Sequence, residues 1–311
     1  RMGEVAGHFP WRTRSQTQVI QDSYGSSWWP TGCQEEAGGM TMEELQTRQP
    51  PPARVHILMA REARSAVVIR RGPSRKTALI GWDRRRDKFE VGQWFNGRID
   101  ERRSDLSPDG SYLIYFAVTG KWGTESQGAY TAISRAPYLK AETLLAKGDT
   151  WHGGGLFVSK REYWLNDGYG HTIVRDQSKA RRTGTYPWHE FPPIGQTDLY
   201  EIRLQMDGWQ RMDSGWIGKG AIVHFEKPVG LRWRLRKRVH GSRERHELLH
   251  PGTGRSIGMP NWSWADVDGK RLVWIESGRL FEASVDSEGL QDMRLLHDFN
   301  TYSFEKLAAP Y

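Results

Sequence analysis

The sequence predicts an all-β protein, a five-bladed β-propeller of four-stranded antiparallel blades. One observation is a hairpin that recurs. Leu106-Ser107-Pro108-Asp109-Gly110 leads into Tyr112-Leu113-Ile114-Tyr115-Phe116-Ala117, and Ala265-Asp266-Val267-Asp268-Gly269 leads into Arg271-Leu272-Val273-Trp274-Ile275. A second is spacing: Gly110 and Gly269 lie 159 residues apart, three steps of 53, and a period near 50 with strands in each repeat marks a propeller. A third is that no stretch requires a helix of more than about two turns.

Residues 1–53 stand apart. They are polar, rich in Gly and Ser, and end in Pro50-Pro51-Pro52, which reads as a flexible leader closed by a stiff spacer. The chain opens on Arg1, and Met40 or Met42 reads as the natural start. The propeller then spans 54–311. Its first blade takes strands at 55–59, 65–70, 77–82 and 88–95, each apolar and β-branched or aromatic between turn residues. The second enters at 105–106 and turns at Ser107-Pro108-Asp109-Gly110, where Pro108 presets φ, Asp109 bonds the local backbone and Gly110 accepts positive φ. It continues at 112–117, 130–134 and 142–146.

The third blade takes 155–158 and 162–165 and, after a long insertion, 198–204. A fourth begins near Met212, with strands at 221–225, 231–239 and 247–250. The fifth takes 262–264, 271–275, 279–283 and 293–296. Inner strands thus fall near 58, 105, 156, 212 and 264, in steps of 47, 51, 56 and 52. Residues 302–305 are placed against the first blade, helping to close the ring.

The turn Ser107-Pro108-Asp109-Gly110 with its strand Tyr112-Leu113-Ile114-Tyr115, together with Asp198-Leu199-Tyr200-Glu201-Ile202, resembles the TolB-type propeller repeat. Val267-Asp268-Gly269-Lys270 matches that turn in part. The stretch from Gln93 to Asn166 is similar to an uncharacterised bacterial propeller family. The resemblance covers about a third of the chain, implies the fold, and carries no activity with it.

Composition narrows the function. Hydrophobic residues make up 37% and charged residues 26%, but tryptophan appears 15 times. Flat rings suit packing between sheets, and exposed ones stack on sugars, bases or peptide side chains. The single cysteine, Cys33, excludes an internal disulfide and fits a reducing, cytoplasmic setting. No apolar run approaches the roughly 20 residues of a membrane span, and no secretory signal is visible. The net charge of +8 favours an acidic partner.

In a propeller the loops leading into the inner strands and those joining second to third strands share one face. Here these are 96–103, 148–154, 207–213 and 252–261, with 119–127, 166–196 and 277–278. They hold Arg98, Trp122, Trp151, His152, Trp188, His189, Trp209, Asn261 and Trp262. Trp122, Trp151, His152, Trp188 and Trp262 are therefore the predicted contact residues, with Arg102, Arg103 and Asp105 near the mouth of the channel. His152-Gly153-Gly154-Gly155 has the form of a lipase oxyanion loop, but no G-x-S-x-G accompanies it. The glycines instead let the strand approach a crowded axis.

Three other chemistries have candidate residues in the chain. Glycosidases need two carboxylates about 5–10 Å apart, and Glu62, Asp105 and Asp213 are the candidates on inner strands, with Asp266 near a turn. In residues 231–236, period-two alternation buries Leu231, Trp233 and Leu235 and turns Arg232, Arg234 and Arg236 outward, a candidate surface for an anion or nucleic acid. His240, His246 and His250 lack the companions of a metal site, so neither metal nor cofactor is expected. The favoured reading is a non-catalytic binding or scaffold module for a protein or polymeric ligand. A carbohydrate-active hydrolase and an anion binder are the alternatives.

Overall fold

Strands fill most of the chain and gather into five sheets. Sheet 1 is the antiparallel meander β1 (Arg54–Met59), β2 (Ser65–Arg71), β3 (Lys76–Asp83) and β4 (Lys88–Asn96). Sheet 2 runs through β5 (Arg98–Leu106), β6 (Tyr112–Val118), β7 (Ala129–Arg135) and β8 (Ala141–Ala146). Sheet 3 pairs β9 (Gly155–Ser159) with β10 (Glu162–Leu165); β11 (Thr172–Asp176) returns to the edge of β8, and β12 (Arg181–Arg182) pairs parallel with β10. A helix, α1 (Gln196–Met206), follows. Sheet 4 contains β13 (Gln210–Arg211), β14 (Gly215–Ile217), β15 (Gly220–Val229), β16 (Trp233–His240), β17 (Arg243–His250) and β18 (Arg255–Met259). Sheet 5 is the meander β19 (Trp262–Asp268), β20 (Arg271–Glu276), β21 (Arg279–Val285) and β22 (Leu290–Asp298).

The computed structural model describes residues 50–72, 75–188, 196–212, 215–217 and 220–311. Most of the predicted leader, His189 and Asp213 lie outside the described residues. Pro50–Tyr311 forms one compact unit.

Alternation along each strand joins neighbouring sheets. On β6, Leu113, Tyr115 and Ala117 pack with sheet 1, whereas Tyr112 and Ile114 pack with Phe157 and Tyr163 of sheet 3. On β2, Val67 and Ile69 face sheet 2, and Ala66 and Val68 face Trp264, Val273 and Ile275 of sheet 5. Sheets 4 and 5 share a cluster of Phe225, Trp233, Leu235, Trp262 and Trp274. Between sheets 3 and 4 stands α1: Leu199 and Ile202 meet Leu156 of β9, and Tyr200 and Leu204 meet sheet 4.

Several elements differ from the sequence expectation. Four strands per sheet holds for sheets 1 and 5 alone. Residues 98–106, read as mostly loop, form β5, with a register shift between Asp100 and Asp105. Residues 255–259, also read as loop, form β18. The stretch 198–204, read as a strand, is helical. Its apolar residues suit either period: Tyr200, Ile202 and Leu204 alternate, while Leu199, Ile202 and Met206 recur at helical spacing. Packing on two flanks selects the helix. Leu231 is fully exposed, because β16 begins at Trp233 and residues 230–232 make the turn. Trp233 and Leu235 are buried as predicted.

The Ser107–Gly110 turn forms as its residues dictate. Ser107 Oγ donates to Asp109 Oδ1 at 2.7 Å and accepts from the Tyr112 N–H at 2.9 Å, and Gly110 has φ +76°. Beyond sheet 5 the chain runs back over sheet 1, as placed from the sequence. Phe304 meets Trp94 and the Lys76 ammonium, and the Gln93 amide donates to Leu307 O. No helix among the described residues is long and apolar enough to cross a membrane.

Candidate functional site

Three loops converge at one end of sheets 2 and 3: 119–128 between β6 and β7, 147–154 between β8 and β9, and 166–171 between β10 and β11. Backbone bonds fasten them. The N–H groups of Lys147 and Gly148 both donate to Ala129 O, Gly153 N–H donates to Asn166 O at 2.9 Å, and Asn166 N–H donates to Gly154 O at 3.0 Å. The glycines are required there. Gly153 has φ +101° and a Cβ on it would stand 2.4 Å from the Phe116 ring; Gly154 has φ +77° and a Cβ would stand 2.1 Å from Arg103 O.

The loops present aromatic rings. Trp122 is 52% exposed, Trp151 73% and Tyr169 88%. The Trp122 ring covers Gly128, and the half-buried His152 ring covers Gly168 and lies 5.1 Å from the Tyr169 ring in a T-shaped contact. Tyr169 escaped sequence reading, although it sits between Gly168 and Gly170, as exposed loop aromatics do.

Ion pairs and hydrogen bonds brace the loops. Lys147, its side chain fully buried, pairs with Asp149 at 2.8 Å, and Asp149 accepts from the Trp151 N–H at 2.9 Å. Burial alone would raise the Asp149 carboxyl, but Lys147 and the Trp151 N–H hold it below the usual range. Asp167 binds His171 Nδ1 at 2.5 Å and Arg182 at 2.7 Å. Those two bonds outweigh burial and depress the Asp167 carboxyl. Burial lowers His171 despite Asp167.

Of the predicted contact residues, Trp122, Trp151 and His152 lie on these loops. Trp188 does not join them: half-buried, it packs edge-on against Trp164 and Tyr186 beside α1. Trp262 is buried and stacked on Trp274 at 4.7 Å, so it belongs to the core, as does Trp209. Arg103 is buried too. It pairs with Asp100 at 3.0 Å, donates to the carbonyls of Thr150 and His152, and lies over the Phe116 ring, so its work is to anchor the 147–154 loop. Arg102 pairs with Glu244 at 2.8 Å and covers the Tyr200 ring.

Asp105 lies at the other end of β5, where Arg61 binds both its oxygens and the Phe157 N–H donates to it at 2.8 Å. Asp266 is likewise engaged, by Lys227 at 2.7 Å. Glu62, on the surface, pairs with Lys160 at 3.2 Å.

The basic strand is largely neutralised. Arg236 binds Glu226 at 2.6 Å and Glu247 at 3.0 Å, and Arg234 lies 3.8 Å from Glu226. Arg232 is exposed in the turn, with no ion pair among the described residues. Among the described residues no group of three or more His, Cys, Asp or Glu is arranged to hold a metal ion. No protein-family model matches this chain, and no curated protein matches it.

Proposed function

We propose that the chain is a five-bladed propeller of the TolB-like kind, serving as a non-catalytic binding module whose aromatic loops hold a protein or polymeric ligand. The propeller reading rests on the clusters that join sheet 1 to 2, 2 to 3, 4 to 5 and 5 to 1, with α1 between 3 and 4, and on the Ser107–Gly110 turn. The binding reading rests on one observation: three large exposed rings, Trp122, Trp151 and Tyr169, on loops at one end of sheets 2 and 3, of which 147–154 and 166–171 are bonded to each other and 147–148 to Ala129 at the end of the third. Rigid aromatics give contact area at little entropic cost. Of the acids considered for hydrolysis, Glu62, Asp105 and Asp266 are each paired with a cation, and Asp213 lies outside the described residues, which favours binding over chemistry. The lone Cys33 suits a cytoplasmic setting.

An array of oligosaccharides and peptides, probed with the whole chain and with a Trp122→Ala/Trp151→Ala double variant, tests this. Both side chains are exposed, so the variant keeps its fold. Binding that weakens about tenfold or more supports the site. Equal binding by both proteins, or none by the parent chain, overturns it.

A further inference from the structure

A second site lies at the opposite end of the first strands. The ends of β1 and β19 meet the residue after α1 around a cavity of about 310 Å3. Most charges within it are spent on one another. Arg61 donates to Asp105, to Asp207 Oδ1 at 3.2 Å and to Phe157 O. Lys227 donates to Asp266 at 2.7 Å and to Asp207 O at 2.8 Å.

Two features are left over. Asp207 uses only Oδ1; its Oδ2 has no partner among the described residues, and the side chain is 21% exposed to the cavity. At the mouth, Arg64 is 43% exposed and gives one nitrogen to Asp268, while the exposed Arg85 side chain has no partner among the described residues. The cavity therefore offers a carboxylate oxygen inside and two guanidinium groups outside.

We propose that this cavity binds a small zwitterion of amino-acid to dipeptide size, its ammonium on Asp207 and its carboxylate on Arg64 and Arg85. The volume sits at the lower limit of ligand pockets, roughly 300 Å3. An anion alone meets the negative field of Asp207, Asp105 and Asp266. A cation alone meets Arg61, Lys227, Arg64 and Arg85. A molecule carrying both charges in that order satisfies each end, and guanidinium groups grip carboxylates in bidentate fashion.

Binding also has a pH signature. Burial pushes the Asp207 carboxyl up, Arg61 and Arg203 oppose this, and Asp105 and Asp266 add to it, leaving it at about 6. Lys227 faces the same residue through its backbone oxygen. Below that pH the ammonium loses its counter-charge.

Titration calorimetry of the full chain against glycine, lysine, glutamate and alanyl-alanine, with methylammonium and acetate as half-ligands, tests the proposal. At least one zwitterion should bind below about 1 mM, with each half-ligand about tenfold weaker or worse. Moving from pH 7.5 to 5 should weaken binding about tenfold, since one pH unit below the pKa leaves about a tenth of the carboxyl ionised. Asp207→Asn should remove that pH dependence and most of the affinity. Arg64→Ala/Arg85→Ala, in which Asp268 keeps Arg84 and Arg271 as partners, should cost about tenfold. No zwitterion binding, half-ligands as tight as the whole, or full affinity in the Arg64→Ala/Arg85→Ala variant each overturns it.

Discussion

Arg61 holds Asp105 by two parallel hydrogen bonds, Nη1 to Oδ1 at 3.1 Å and Nη2 to Oδ2 at 3.2 Å. The pair ties the β1–β2 turn of sheet 1 to the first strand of sheet 2, and the same guanidinium reaches Phe157 O in sheet 3. One side chain thus joins three sheets. Both partners are largely withdrawn from water, with 16% and 3% of their side chains exposed.

Removing one member of such a pair leaves a buried charge alone. Arg61→Ala should therefore lower unfolding stability by about 3–5 kcal/mol, read from urea denaturation. A loss under about 1 kcal/mol would show that Asp105 finds another partner.

Asp207 gives stability an unusual slope. Its folded value of about 6 lies above the ordinary 3.8. Between about pH 4 and 6 the folded chain keeps a proton that the unfolded chain has released, so this group makes stability fall as pH rises through that window. The difference between parent and Asp207→Asn stability curves should drop by about 3 kcal/mol across the window and be level outside it. A flat difference would place Asp207 at its ordinary value.

His246 acts with the opposite sign. Its Nδ1 donates to Trp262 O at 3.2 Å, which leaves Nε2 as the bare nitrogen, buried without a hydrogen-bond partner among the described residues and 3.9 Å from Glu244 Oε2. Burial and then Lys237 push it down to about 4, against Glu244. The unfolded chain takes up a proton near pH 6.5 that the folded chain refuses, so the stability this residue contributes is whole above that value and lost as pH falls towards 4. Melting curves of His246→Gln should lose sensitivity to acid in that range; an unchanged profile would exonerate this residue.

Gly154 is the least replaceable residue of the aromatic loops. Its φ of +77° and the 2.1 Å approach to a backbone oxygen leave no room for a methyl group. Gly154→Ala should cost about 2 kcal/mol or more and shift the tryptophan emission as Trp151 moves. By contrast, alanine at Gly120, which also has positive φ but nothing within 4 Å of its Cβ, carries strain without a clash and should cost less. Thermal melting ranks the two.

Leu231 and Leu235 look alike in sequence but not in burial. Leu235→Ala should cost about 2–5 kcal/mol, and Leu231→Ser should stay within about 0.5 kcal/mol. Equal costs would mean that the 230–232 turn buries Leu231 in solution.

The strands were legible wherever alternation met a turn with its own chemistry, as at Pro108-Asp109-Gly110 and Asp268-Gly269. The exposure of Trp122 and Trp151 was legible because both stand in loops between strands, but loop position misled at Trp209, which the cluster between sheets 4 and 5 buries. Trp262 misled because it stands at the first position of β19, where loop and core differ by one residue. Asp198–Leu204 misled because its apolar residues satisfy both periods, and the choice depends on Leu156 and sheet 4, distant in sequence. Asp207 could not be found at all: its character comes from Asp105, Asp266 and Arg61, which only the fold assembles.

Helix α1 is tied to three sheets by polar contacts as well as by packing. Arg203, buried within it, donates to the carbonyls of Glu101 and Ser104 and to His56 Nε2 at 2.9 Å, while Tyr200 receives a bond from Lys237 of sheet 4 at 3.2 Å. So placed, the helix is bolted to sheets 1, 2 and 4 at once, and because Asp207 follows its last residue, the position of that carboxylate is inherited from the bolts on Arg203 and Tyr200.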